Sequence, residues 1–286
     1  MGFTSYPSGH QQTYFRYTTN TFRKQTHQEW NDKYLESFGL VTSDGKLTNA
    51  RLLFVGNCTV FQSRIFCTCW TGLYKDDAIS SVEHRANLVL LLKYGKDFIK
   101  NYTMSGWVKM PNYRLNLPDY SDRAIFEGLV NHLIHKDYTV MGGEVHIDIY
   151  DDRVELVSPG AMLDGTQIQD RDIYKVPSTR RNPAIANIFT QLDKMEKRGS
   201  GLRKMRELTE KLPNFLQGKE PQYQTEATSF FTTFYNLNWN ENSRIPVEEM
   251  GEKVNSTIKK YPTNEESSVK KFGVNADRFE THQKHR

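Results

Sequence analysis

The stretch YSDRAIFEGLVNHLIHKDY, residues 120–138, decides how this chain folds. Ser121 is a good helix N-cap, because its hydroxyl can accept from an amide that the first turn leaves without a partner. Asp122 suits the positive end of the helix dipole. Phe126, Leu129, Val130, Leu133 and Ile134 follow at helical spacing and define one apolar face. Beside that face, Glu127, Asn131 and His135 recur every four residues, so a helix gathers them into one polar line. Spacing allows two readings of the line. It is the solvated face of a surface helix. Or it carries a carboxylate that can act as a base and a carboxamide oxygen that can bind Mg²⁺, the parts that position a metal-nucleotide and a water.

Downstream, Gly142-Gly143 makes a turn. Val145, Ile147 and Ile149 then alternate with His146, Asp148 and Tyr150, the period of a half-buried strand. Asp151-Asp152 turns the chain into a second strand, Arg153 to Val157, and the two predict a hairpin that Ser158-Pro159-Gly160 ends. From Asp164 to Arg181 the chain is polar for about 18 residues, a length common in lids and binding loops. Asn182-Pro183 predicts a helix start with Asn as N-cap, and Ile185, Ile188, Phe189 and Leu192 line its buried side. Gly199-Ser200-Gly201 opens another helix, with Leu202, Met205, Leu208 and Leu212 inward, and Thr228 to Phe234 predicts a closing strand.

Two of these junctions are candidate sites. In Arg198-Gly199-Ser200-Gly201, glycines let the backbone approach a ligand, and the helix that follows offers free amides to a phosphate. The alternative is a loop with two flexible residues. Ser178-Thr179-Arg180-Arg181-Asn182 ends at a helix start and could close over phosphates, touch DNA, or be an ordinary basic surface.

Upstream of residue 120 the signals are weaker. Residues 1–33 are polar and aromatic and cannot bury a core alone. Residues 34–119 predict a small α+β connecting region. It holds a short helix at Tyr34 to Phe38, a turn at Asp44-Gly45, and a buried strand at Leu52 to Val55. A second strand follows at Val60 to Trp70. Asn87 caps a helix running to about Asn101 on Leu88, Leu91, Leu92 and Phe98, and Pro111 and Pro118 bracket a loop. Residues 238–286 predict a polar, largely disordered tail.

Composition narrows the classes. With 286 residues, 37% hydrophobic and 12% aromatic, part of the chain holds a real core, and a mean hydropathy of −0.68 leaves much of the rest solvated. A net charge of +4 permits nucleic-acid contact without arguing for it. Cys58, Cys67 and Cys69 make neither a disulfide framework nor a four-ligand zinc site, so they read as buried thiols in a reducing cytoplasm. The longest apolar run, Leu88 to Leu92, is too short to span a membrane, and the start shows no signal-peptide pattern; a cytoplasmic protein is expected. GxxxxGK[ST] is missing, which excludes a P-loop ATPase or helicase motor, and HExxH and GxSxG are missing too.

In order, LTNARLLF, NLPDYSDRAIFEGLVNHLIHKDY, VHIDIYDDRVELVSPG, RRNPAIANIF and MEKRGSGLRKM resemble a bacterial family of transcriptional regulators. Its members pair a Schlafen AlbA-type DNA-binding domain with a divergent GHKL-type (Bergerat-like) ATP-binding domain, and some carry a label taken from the RecG helicase C-terminal region. The resemblance covers roughly residues 34–237. It implies an α/β fold, a Bergerat-like two-layer sandwich of mixed sheet with helices on one face, over 120–237. It implies ATP and Mg²⁺ as ligands, with Glu127 as the base and Asn131 holding Mg²⁺ through the nucleotide. His135 is similar to a histidine the family keeps, and Gly199 and Gly201 match its phosphate loop, with Ser200 between them; the loop Asp164 to Arg181, which carries Arg180 and Arg181, is then expected to be the lid over the nucleotide. Ser158 and Gly160 fall at the adenine-reading DxGxG box, where Ser158 replaces the Asp, and a hydroxyl is a weaker, uncharged acceptor.

PSGHQQTYFRYTTN resembles the end of the AlbA-type domain, so 1–33 reads as its remnant. KKFGVNADRF resembles a linker ahead of a winged helix. The partners implied are nucleotide, DNA through missing or partner modules, and a second copy of the chain, with no membrane. The function implied is a nucleotide-binding regulatory module with weak ATPase activity as an option. The alternative is a degenerate scaffold for oligomerisation or protein interaction.

Overall fold

The computed structural model describes residues 16–239 except 28, 30, 32, 43, 45, 47, 57, 59, 178 and 196–199. The expected tail from 240, the first half of the expected remnant, and Gly45, Ser178, Arg198 and Gly199 lie outside the described residues.

The core is one mixed sheet. Its strands are β1 (Arg64–Trp70), β2 (Ala78–Arg85), β5 (Val145–Ile149), β6 (Arg153–Pro159), β7 (Gln222–Thr225) and β8 (Ser229–Tyr235), in the order β2-β1-β5-β6-β8-β7. β1 and β5 are parallel and every other neighbouring pair is antiparallel. β3 (Ser105–Lys109) and β4 (Arg114–Pro118) form a separate two-stranded ribbon. The sheet therefore draws two strands from residues 64–85 and runs across position 120.

The register explains which face is covered. Ile65, Cys67 and Cys69 pair with Val145, Ile147 and Ile149; the row continues through Val154 and Leu156 to Phe234 and Thr232. All ten are buried. Strand period puts them on one side, and the two long helices pack there. Helix α4 (Leu88–Tyr102) is capped as expected, Asn87 accepting from the Leu90 amide at 3.0 Å. Helix α5 (Asp122–His135) is capped by Ser121, which accepts from the Ala124 amide at 3.3 Å. Glycines set how close these helices come. A methyl on Gly95 would lie 2.8 Å from Ile147, and one on Gly128 would lie 2.9 Å from Phe234.

The shorter helices are α1 (Arg16–Thr26), α2 (Lys33–Ser37), α3 (Asn49–Leu52), α6 (Pro183–Gln191) and α7 (Gly201–Glu210), and Phe22, Leu35, Phe189 and Met205 from them join the same core. The expected strand at Leu52 to Val55 is instead the end of α3 and a turn. Leu53 and Phe54 are buried there, but Leu53 N–H bonds back to the Ala50 carbonyl at 3.2 Å and Phe54 N–H to that of Arg51 at 3.0 Å. A short apolar run fits a buried turn as well as a strand, and these local bonds decided. The expected loop between Pro111 and Pro118 contains β4; Pro118 sits at the end of its ribbon strand, where a missing N–H is tolerated. Asn182 does not cap α6. Its carboxamide donates to the Ile134 and Lys136 carbonyls at 2.7 and 2.8 Å, and so closes the C-terminal end of α5 instead.

No helix among the described residues is long and apolar enough to cross a membrane. Cys58, Cys67 and Cys69 are buried free thiols, and burial pushes the Cys67 thiol up to about 12.

Candidate functional site

Helix α5 rests on the sheet with its sheet-facing side and turns Glu127, Asn131 and His135 toward a cleft. The line read from the spacing is thus intact: all three border one cavity, together with Ser158, Gly160, Arg181, Ser200 and Gly201. The cavity lies between α5, the β6 end, the loop before α6 and the start of α7. Val130, Met162, Ile173, Val176 and Phe230 supply its apolar walls.

Glu127 is buried at 6% exposure. Its Oε1 lies 2.8 Å from Arg123 Nη2, one turn back, and 3.1 Å from Lys204 Nζ on α7. Neither contact has hydrogen-bond alignment, so this oxygen is held between two cations without a directed partner. Asn131 faces Gly201. A methyl at Gly201 would come within 2.9 Å of the Asn131 Nδ2, so the missing side chain is what lets α7 begin against the carboxamide. Ser200 makes no side-chain cap, and the first turn of α7 holds Arg203 and Lys204 and no acid. The first amides of a helix have no partner within the helix itself, and the side-chain charge at this end is positive.

His135 is half-buried, and desolvation, then Arg181 and Arg180, push its imidazole down to about 4. Arg181 reaches Asp137 at 3.3 Å, also donates to the Ala161 carbonyl, and its guanidinium stands 3.2 Å from where a Gly160 side chain would be. With φ at +108°, Gly160 adopts a backbone that L side chains rarely do. Arg181 thereby ties the loop's end to the turn after β6. Arg180 is half-buried and does not border the cavity, and Gly199 lies outside the described residues.

The first half of the loop Asp164 to Arg181 is fastened to itself and to β7. Arg171 Nη1 meets Asp164 at 2.6 Å. The short helical turn Ile168–Asp170 buries Ile168, and Gln169 pairs with both the N–H and the carbonyl of Thr225, at 3.0 and 3.2 Å, as an extra strand would. Asp164 at its start and Ile173, Val176, Pro177, Thr179 and Arg181 toward its end border the cleft.

One cleft residue was missed by the sequence reading. His132 is 1% exposed, and its Nδ1 and Nε2 lie 2.9 Å from Ser158 Oγ and 3.0 Å from Thr232 Oγ1. Ser158 is buried and already bonded within the protein, a partner that the adenine-box reading did not foresee. A signal existed: His132 is four residues after Gly128, on the sheet-facing side of the helix, where a polar ring needs polar partners. Among the described residues, no group of three or more His, Cys, Asp or Glu could hold a metal ion by itself.

A six-stranded mixed sheet covered on one face by helices, with a cleft between α5 and α7, is an ATPase-like α/β sandwich. Residues 142–234 match a family described as "Putative ATP-dependent DNA helicase recG C-terminal". That match holds Ser158, Gly160, Arg181 and Gly201, and begins after Glu127 and Asn131. The crystal structure of the DIP2311 protein from Corynebacterium diphtheriae is similar with a TM-score of 0.66 at 17% identity, over 82% of this chain and 46% of that one. The likeness is one of fold, and this chain spans less than half of that protein's length. No curated protein matches the sequence.

Proposed function

We propose that the cleft binds a nucleoside triphosphate, ATP with Mg²⁺, and that binding regulates modules attached to this domain or partnered with it. The observation that carries the reading is the apposition of Asn131 and Gly201. It brings a carboxamide oxygen donor to the uncapped, positively biased start of α7, so a metal ligand and a phosphate cradle meet at one point. The residues present fit the group. Glu127 Oε1 is a buried acceptor without a directed hydrogen bond, and the apolar wall of Val130, Ile173 and Phe230 suits a base. Asn131 would hold Mg²⁺ through the phosphates, the amides of Ser200, Gly201 and Leu202 would take phosphate oxygens, and Ser158 would meet the base. Gly199 would extend the phosphate loop, and Arg180 and Arg181 would stand at its closing side. Bound Mg²⁺ would neutralise phosphate charge; Glu127 would orient a water, which allows weak hydrolysis. A regulatory switch needs tighter binding to one conformation than to another. Ile173, Val176, Pro177 and Thr179, which border the cleft, would supply the contacts that differ between the two conformations, and DNA is the target of the regulated modules.

Titration calorimetry of ATP–Mg²⁺ against the wild type and Asn131→Ala tests this. Binding to the wild type with a loss of about tenfold or more in the variant is expected, since a metal ligand is removed. No binding to the wild type would overturn it. One observation favours a second reading, a scaffold for protein interaction: the Glu127 carboxylate is already held by Arg123 and Lys204. On that reading ATP leaves the melting temperature unchanged; a native-state ligand must raise it, by about 2.7 kcal/mol of stability at a hundredfold excess over Kd.

A further inference from the structure

Ser158 on β6 and Thr232 on β8 face the helix layer from adjacent strands, and His132 stands between them. Phe230 closes one side, edge-on at a centroid distance of 5.7 Å. The ring is 1% exposed with one hydroxyl at each nitrogen, an environment that suits the neutral imidazole, in which one ring nitrogen carries hydrogen and the other a lone pair. A hydroxyl at each end can donate or accept. The chain therefore has two complete arrangements. In the first, Ser158 O–H donates to Nδ1, Nε2–H donates to Thr232 Oγ1, and the Ser158 oxygen keeps a lone pair for the cleft. In the second, Thr232 O–H donates to Nε2, Nδ1–H donates to Ser158 Oγ, and the Ser158 hydrogen is free for the cleft.

We infer that the Ser158–His132–Thr232 chain lets the base-reading position accept or donate equally well, so the site takes purine nucleotides with either an amino or an oxo group at C6. This rests on the nucleotide-binding reading above and adds its base specificity. An amino group donates to Ser158 and selects the first arrangement; an oxo group accepts from Ser158 and selects the second. The histidine matters because a lone buried hydroxyl satisfied by the ligand in one sense leaves its other half without a partner. His132 fills that half in both senses by moving its hydrogen from one ring nitrogen to the other. A carboxylate in the same place has only lone pairs, accepts from the amino group and repels the oxo group.

The test compares ATP and inosine triphosphate, which differ at C6, each with Mg²⁺. Titration calorimetry of the wild type should give dissociation constants within about fivefold of each other, and Ser158→Asp should favour ATP by about tenfold or more. Nitrogen-15 spectra of histidine-labelled wild type should show His132 with hydrogen on Nε2 in the ATP complex and on Nδ1 in the inosine complex. If ATP binds but the inosine nucleotide binds more than about fiftyfold weaker, the inference falls while the nucleotide reading stands. The same follows if the ring keeps one tautomer in both complexes. If neither nucleotide binds, both fall.

Discussion

At the residue scale the cleft depends on contacts that leave no slack. Gly201 is the sharpest case: φ there is ordinary, so an alanine brings no backbone strain and suits a helix start, yet its methyl would press on the Asn131 carboxamide at 2.9 Å. The atom pressed is the end of a side chain that can rotate away. Gly201→Ala should therefore change unfolding free energy by less than about 1 kcal/mol while turning Asn131 out of position. ATP–Mg²⁺ affinity should fall by about tenfold, as for loss of an orienting contact, and calorimetry beside a urea melt separates the two effects. Unchanged affinity would remove the Asn131–Gly201 apposition from the site.

At the scale of elements, α5 is held by its caps and by its fit to the sheet. Ser121 closes one end, and Asn182 and Tyr138 take carbonyls at the other. In between, Gly128 lets Phe234 and Leu156 approach to within 3.0 Å of its absent methyl. In an exposed helix Gly→Ala stabilises by roughly 0.5–1 kcal/mol. Here both neighbours are buried core side chains with nowhere to go, and overpacking wins: Gly128→Ala should destabilise by about 1–3 kcal/mol. Urea unfolding with an unchanged slope would read this directly, and a stabilised variant would show that the helix stands further from the sheet. The sequence made this helix, its cap and its polar line legible because all three are local periodicities. Asn182 was misassigned for the opposite reason: a cap to its own helix is local, whereas its actual partners lie 46 and 48 residues away.

For the whole molecule, two desolvated histidines, the buried His132 and the half-buried His135, tie stability to pH. His132 and His135 stay neutral in the fold down to about 3 and about 4, whereas in the unfolded chain they protonate near 6.5. Between these values the unfolded state binds more protons, so stability is full above about pH 6.5 and falls as pH drops toward 4. Each histidine contributes a slope of up to about 1.4 kcal/mol per pH unit. Asp137 and Asp164 are held below the usual carboxylate range by hydrogen bonds from Thr139 and Thr166, so they remain charged in that window. Urea melts at pH 7 and pH 5.5 should differ by about 1–3 kcal/mol, and His132→Gln should flatten the difference. A flat profile in the wild type would mean that these rings are solvated.

By itself the sequence determined the amphipathic helix at 121–135, the hairpin that follows it, and the Glu127–Asn131–His135 line, because each is written in residues a few positions apart. Only the tertiary structure decided that this line faces a cleft instead of solvent, since that depends on α7 arriving at Gly201, 70 residues beyond Asn131. It also decided that the sheet takes β1 and β2 from residues 64–85, through a parallel pairing of β1 with β5 that no local pattern encodes. And it joined Ser158 to His132 and Thr232, 26 and 100 residues from that ring. A buried polar side chain must find a partner, but which partner is set by strand order and register, and those are properties of the whole sheet.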